Sequence, residues 1–156
     1  MANTKARPTS ADIQSRRSRG SHPQNEHSAF ARSQLARALG MERAIVVHMI
    51  LGPSKESFVP HTHEREEEWI CILHERGTAD IDGEEVPVAT GDFLGFTTPS
   101  VVHHLRNTSD ADLVYLMGGE SRYAEPSSFP TLHKRKVPVG SRVDVIDIDQ
   151  EEKEPR

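Results

Sequence analysis

The amino-acid sequence predicts an all-β sandwich or barrel, and three observations carry that expectation. Short segments rich in Val, Ile, Phe and Tyr recur through residues 44–117, separated at short intervals by turn signals. Asp82-Gly83 stands between two of them as a two-residue hairpin loop, because both central positions of a type I′ turn require positive φ. No helical period longer than about three turns runs through residues 41–148.

The elements follow in order. Residues 1–28 carry Pro8, Gly20, Pro23 and many Ser, Arg and Asn, with isolated apolar residues such as Ile13, too few to offset the entropy of ordering; a disordered basic arm is expected. Phe30 to Leu39 spaces apolar side chains at three- and four-residue intervals before Gly40, which predicts a short helix ahead of the barrel. Strands are expected over Ala44–Leu51, Ser57–His63, Glu68–His74, Gly77–Ile81, Glu85–Val88, Phe93–Thr97, Val101–Asn107 and Asp112–Met117. Gly52-Pro53, Asp82-Gly83, Gly91-Asp92 and Pro99 mark turns between them. Val143–Ile148 alternates and supplies a late strand, and 150–156 is a charged, solvated tail. The folded domain is therefore expected over 29–149.

Composition narrows the function classes. The net charge of −5 is divided, with seven basic and two acidic residues in 1–40 against 12 and 22 in 41–156. An acidic body argues against nucleic acid as the ligand, since phosphate neutralisation needs clustered Lys and Arg. The run Arg16-Arg17-Ser18-Arg19 is a short basic cluster of the kind that usually has no such partner. The best apolar run, Ala44 to Leu51, contains His48 and falls well short of the ~18–20 residues of a membrane span. The single cysteine, Cys71, leaves no disulfide framework, and no apolar stretch follows the N-terminal basic residues, so a cytoplasmic location is the expectation. The Arg- and Ser-rich, acid-poor first 40 residues also have the composition of a transit peptide.

One constellation carries chemistry. His61-Thr62-His63 lies in an extended segment, where period-two alternation puts both imidazoles on one face. Glu66-Glu67-Glu68 leads into the apolar Trp69–Leu73, so at least one carboxylate sits at the mouth of a buried strand, and His103-His104 follows about 40 residues after the first pair. Three imidazoles and a carboxylate supplied by neighbouring strands about 4.8 Å apart form a mixed N/O site suited to Fe, Mn, Co, Ni, Cu or Zn. The alternative is a set of surface histidines on a β-protein.

These residues resemble the cupin superfamily, whose first motif reads G-x5-H-x-H-x(3,4)-E-x6-G and whose second reads G-x5-P-x-G-x2-H-x3-N. His61-x-His63-x4-Glu68 resembles the first, and Gly91-Asp92 with His103-x3-Asn107 resembles the second, with the resemblance extending over roughly residues 39–130. The chain departs from the pattern in three places. Eight residues rather than five separate Gly52 from His61, Glu75 stands where a glycine is expected, and Thr98-Pro99-Ser100 replaces P-x-G. These positions lie in turns and bear on loops before ligands.

The resemblance implies a double-stranded β-helix, the jelly-roll barrel of cupins, and one divalent transition metal held by His61, His63, Glu68 and His103. Glu67 satisfies the three-residue spacing, but Glu68 adjoins the apolar strand as the family's ligand does. His103 keeps the spacing to Asn107, while His104 points to the opposite face, where an edge or interface position is expected. A 3-His/1-Glu site leaves two positions of an octahedron open to a bidentate substrate or a water. The family implies either an enzyme acting on a small oxygenated metabolite by chelation and carbonyl or enol polarisation (lyase, isomerase or oxygenase), or a non-catalytic ligand-binding or sensor module. A general acid or base in the pocket would separate the two, and His48, Tyr115 and Arg106 are the candidates. Burial of exposed strand edges by a second copy, through Phe30–Leu39 or Val143–Ile148, predicts a homodimer.

Overall fold

The computed structural model describes residues 8–148, so the expected charged tail lies outside the described residues. Along them run α1 (Ser10–Ser15), β1 (Ser18–Gly20), β2 (Phe30–Gln34), α2 (Leu35–Ala38), β3 (Ala44–Leu51), β4 (Thr62–His63), β5 (Glu68–His74), β6 (Arg76–Ile81), β7 (Glu84–Ala89), β8 (Phe93–Phe96), β9 (His103–Arg106), β10 (Leu113–Glu120), β11 (Ser127–Phe129), β12 (Lys134–Val139) and β13 (Arg142–Asp147). All strand pairings are antiparallel. One sheet has the order β1-β2-β3-β10-β5-β8; facing it are β7-β6-β9 and β13-β12-β11-β4. An antiparallel bridge between His61 and His103 joins the last two, which makes the double-layered jelly roll of a double-stranded β-helix.

Alternation alone selects the core. Val47, Met49 and Leu51 on β3, Ile70 and Ile72 on β5, and Leu113 and Tyr115 on β10 occupy every second position and are buried, meeting Ala79, Val88, Phe96 and Leu105 from the opposite layer. Each buried Val, Leu, Ile, Phe or Met among them contributes roughly 1.5–3 kcal/mol by leaving water. The same phase carries Glu68 inward with Ile70 and Ile72, at the open end of the layer, and turns Trp69 outward onto Phe93.

The turns behave as their residues require. Asp82 (φ 54) and Gly83 (φ 84) form the expected I′ hairpin joining β6 to β7, with Ile81 paired to Glu84. Asn107 is buried and closes the loop before β10, donating through Nδ2 to Leu51 O and Ala111 O and accepting at Oδ1 from Ser109. Glu75, at the position where the motif has glycine, keeps the left-handed backbone that glycine would favour, at φ 67. Relief of about 1–2 kcal/mol of left-handed strain, offset by ~0.5–1 kcal/mol of added chain entropy, sets the expectation for Glu75→Gly. It should raise stability by about 0.5–1 kcal/mol in urea melts; a variant less stable than the parent would show that the Glu75 side chain contributes more than its backbone costs.

Several expectations need correction. Phe30 to Leu39 is not one helix: Phe30–Gln34 is strand β2, laid along β3, and only Leu35–Ala38 is helical. The exposed edge of β3 offers five residues a hydrogen-bond ladder, which outweighs a weak helical period. Ser57–His63 forms a regular strand only at Thr62–His63. Residues 8–28, expected to lack fixed structure, take a defined course against the barrel. Ser33 donates to Ile13 O, Asn25 donates to Phe58 O and Glu56, and the buried Ser28 donates to Ser57 O. These contacts are polar and so invisible to an apolar count. Finally, the late strand finds its neighbour within the chain, because β12, unanticipated in the sequence, pairs with β13 along its whole length.

Candidate metal centre

Three strand segments deliver the site: β4 with the His61 bridge residue before it, β5 and β9. His61 and His103 exchange backbone hydrogen bonds in both directions, at 3.2 and 3.0 Å, which sets their side chains on one face with ring centroids 4.6 Å apart. Two residues on, His63 shares that face, and its main chain is clasped by Ser100, whose Oγ accepts from His63 N at 2.7 Å and whose N donates to His63 O at 2.8 Å. Glu68 enters from the opposite layer. One donor atom from each of His61, His63, Glu68 and His103 lies within 4.8 Å of the others.

The donor set fits a metal ion. His61 Nδ1 faces Val59 O at 2.8 Å and His103 Nδ1 faces Val101 O at 3.0 Å, so each imidazole places its proton there and turns the Nε2 lone pair inward. Nε2 of His63 faces Glu68 Oε2 at 3.1 Å, while Nδ1 of His63 and Nε2 of His103 are buried without a hydrogen-bond partner, the latter 3.8 Å from Glu68 Oε1. Such orphaned atoms are costly unless something else satisfies them. Burial depresses the His61 pKa to about 4, helped by the neighbouring His103, and keeps it the neutral ligand form. For His63 burial acts downward, but the carboxylates of Glu68, Glu125 and Glu66 outweigh it and hold the group above its ordinary value. Burial would raise Glu68, yet the facing imidazoles of His103 and His63 hold it down to about 2, ionised and ready to ligate.

Above the cluster opens a cavity of about 320 Å³, with Ile45, Phe58, Met117 and Phe129 as its apolar wall and Glu66, Glu67 and Lys136 at its polar side. His103 lies deeper, stacked on Phe96 with centroids 3.9 Å apart, in a smaller hollow shared with Tyr115.

The sequence candidates divide clearly. Glu68, not Glu67, joins the cluster, and His103, not His104, does so. His104 is not an edge residue: it is buried, with Nε2 3.5 Å from Glu56. His48 sits on the face of β3 opposite Met49, outside the cavity, and Arg106 is held by Glu85 on the exterior. Neither is brought to the cluster, because alternation sends each to the wrong face of its strand. Tyr115 is beside the site but fully buried, and burial drives its hydroxyl far above the ordinary value, so it holds its proton. Two residues escaped the sequence: Ser100 occupies the motif's glycine position, which was a usable signal, and Glu125 carries none. Glu66 belongs to the acidic run ahead of the buried strand but was not assigned a role. Glu66 faces the cavity, and burial together with Glu125 raises its pKa.

Comparison with known proteins agrees with this architecture. Residues 47–119 match the family model described as a cupin domain. No curated protein matches the chain. Among solved structures, the "Putative sugar phosphate isomerase" of Acidithiobacillus ferrooxidans is similar with a TM-score of 0.88 and 25% identity, over 97% of this chain and 98% of that one. A sugar phosphate isomerase "from a cupin superfamily" of Silicibacter pomeroyi shares the fold at TM-score 0.72 and 20% identity, over 78% of each chain. A "predicted oxalate decarboxylase" of Thermotoga maritima shares it at TM-score 0.62 and 24% identity, over 73% of this chain and 97% of that one. The matched span runs from within β3 to within β10 and includes His61, His63, Glu68 and His103, so residues 47–119 carry a cupin domain, set in the jelly-roll architecture described above.

Proposed function

We propose that this cupin is a metal-dependent enzyme of the isomerase type, acting on a small hydroxy-carbonyl metabolite bound through adjacent oxygens. The observation that carries this is the convergence of three imidazoles and one carboxylate beneath an open cavity of about 320 Å³. His61, His63, Glu68 and His103 would hold one divalent ion, which supplies Lewis acidity to a substrate carbonyl when bound. Glu66, with its carboxyl raised and its place at the cavity, is the group suited to take a proton from the carbon beside that carbonyl and return it to the neighbour. Likeness over nearly the whole chain to a protein described as a sugar phosphate isomerase makes aldose–ketose interconversion the first reaction to assay. The non-catalytic binding module is favoured by the exclusion of His48 and Arg106 from the cavity, and Glu66 decides between the two. Metal-loaded protein should interconvert sugar phosphates or other hydroxy-carbonyl acids, with solvent deuterium incorporated at the transferred position and the rate lost in Glu66→Gln. Stoichiometric ligand binding without turnover, unchanged in Glu66→Gln, would favour the binding module.

The domain is proposed to extend over 29–149, in a reducing, cytoplasmic setting that suits the single unpaired Cys71. A homodimer is proposed through the β12–β13 hairpin, whose outer strand exposes Val143, Val145 and Ile146. Light scattering of the full chain should give the mass of two copies, and Val145→Lys should shift it toward one; a monomer mass at high micromolar concentration contradicts this.

A further inference from the structure

Each of two cluster histidines is oriented by a carbonyl two residues earlier: Val59 O for His61 and Val101 O for His103. The same rule would assign His61 O to His63, but that oxygen accepts from His103 N at 3.0 Å and His63 Nδ1 makes no hydrogen bond to it. His63 therefore needs another orienting group. The carboxylate facing its Nδ1, at 3.7 Å, is Glu125 Oε1. Glu125 is 7% exposed, and it is anchored by accepting from Glu64 N at 2.7 Å and Arg65 N at 3.0 Å, both in the turn that follows His63. Its second oxygen, Oε2, and His63 Nδ1 are both buried without a hydrogen-bond partner. Two unpartnered polar groups of opposite hydrogen-bonding character, side by side and away from water, are a costly arrangement unless they serve each other.

We infer that Glu125 is the positioning residue for His63, receiving its Nδ1–H when Nε2 turns to the metal and so fixing the tautomer and strengthening the imidazole as a ligand. The inference rests on the metal-binding proposal above. Imidazole ligands backed by a carboxylate recur at metal sites, and loss of such a partner typically costs about 10–100-fold in affinity. Glu125 lies beyond residues 47–119, at the entrance to β11, which pairs with β4 through Ser127 and His63. The segment after the matched cupin domain thus completes the site, and the metal centre depends on the β11–β12–β13 sheet being docked.

The test uses Co(II) as the probe on the full chain, with Glu125→Gln, Glu125→Asp and Glu125→Ala. Gln keeps an acceptor oxygen for the Glu64–Arg65 turn and removes the charge. The expected result is a loss of about 10-fold in Co(II) affinity for Gln and up to ~100-fold for Ala, with partial rescue in Asp and an altered Co(II) absorption spectrum. In Zn(II)-loaded protein the His63 Nδ1–H proton resonance should be downfield and protected from exchange in the parent, and should move upfield and exchange faster in Glu125→Gln. A Gln variant with parental affinity, Co(II) spectrum and Nδ1–H resonance would overturn the inference and leave Glu125 as a turn cap. So would an Ala variant whose affinity loss is fully matched by loss of metal-free stability while Gln stays parental. Failure of the parent itself to bind Co(II) would instead count against the metal-binding proposal.

Discussion

Replacing His61, His63, Glu68 or His103 by Ala should each strip most of the bound metal, by more than the ~10–100-fold typical of a supporting residue, since each removes one of the four protein donors. The neighbours make the contrast sharp. Glu67→Ala should retain metal, because Glu67 lies at the cavity edge outside the cluster. His104→Ala should retain metal yet lose stability, on the order of 1–3 kcal/mol, because it empties the buried position of the imidazole and removes one of the neighbours of the half-buried Glu56 carboxylate. Elemental analysis beside thermal melts separates the two effects. Loss of metal in His104→Ala with retention in His103→Ala would place the site on the other face of β9.

The second large effect concerns β10, which carries no donor. A Cβ on Gly119 would stand 2.3 Å from Glu67 O and 3.2 Å from Glu68 Cα, both backbone, so β10 and β5 could accommodate it only by moving apart. Gly119→Ala should therefore cost roughly 1–3 kcal/mol and displace Glu68, lowering metal content together with the melting temperature, which falls ~2–4 °C per kcal/mol in a chain this size. Gly118→Ala is the control. Its Cβ would meet the Trp69 ring at 2.2 Å, and an indole on the outer face can swing away where a backbone cannot. It should keep its metal. Parental metal content and melting temperature in Gly119→Ala would mean that β5 is not held as closely to β10 as described.

What the sequence made legible was what period two and local turn chemistry decide. Val47, Met49 and Leu51 declare the inner face of β3, Asp82-Gly83 declares its hairpin, and His61-x-His63 with Glu68 and His103 declares four donors whose convergence needs only strand alternation. The misses share another cause. Lys134–Val139 is a polar, half-buried strand whose stability comes from pairing with β11 and β13, and nothing local marks it. Phe30–Gln34 reads as helical until the edge of β3 is in place. His48 and Arg106 were sound as chemical types, but their usefulness depended on which face of a strand meets the cavity, a tertiary fact. Glu125 reaches His63 across 62 residues of chain, through a loop with no motif to announce it.

Anomalous diffraction from crystals loaded with a single divalent transition metal tests the central claim most directly. One peak per chain is predicted, about 2.0–2.2 Å from Nε2 of His61, His63 and His103 and from a carboxylate oxygen of Glu68. A peak held by other residues, or none at that position in fully loaded protein, would contradict the account.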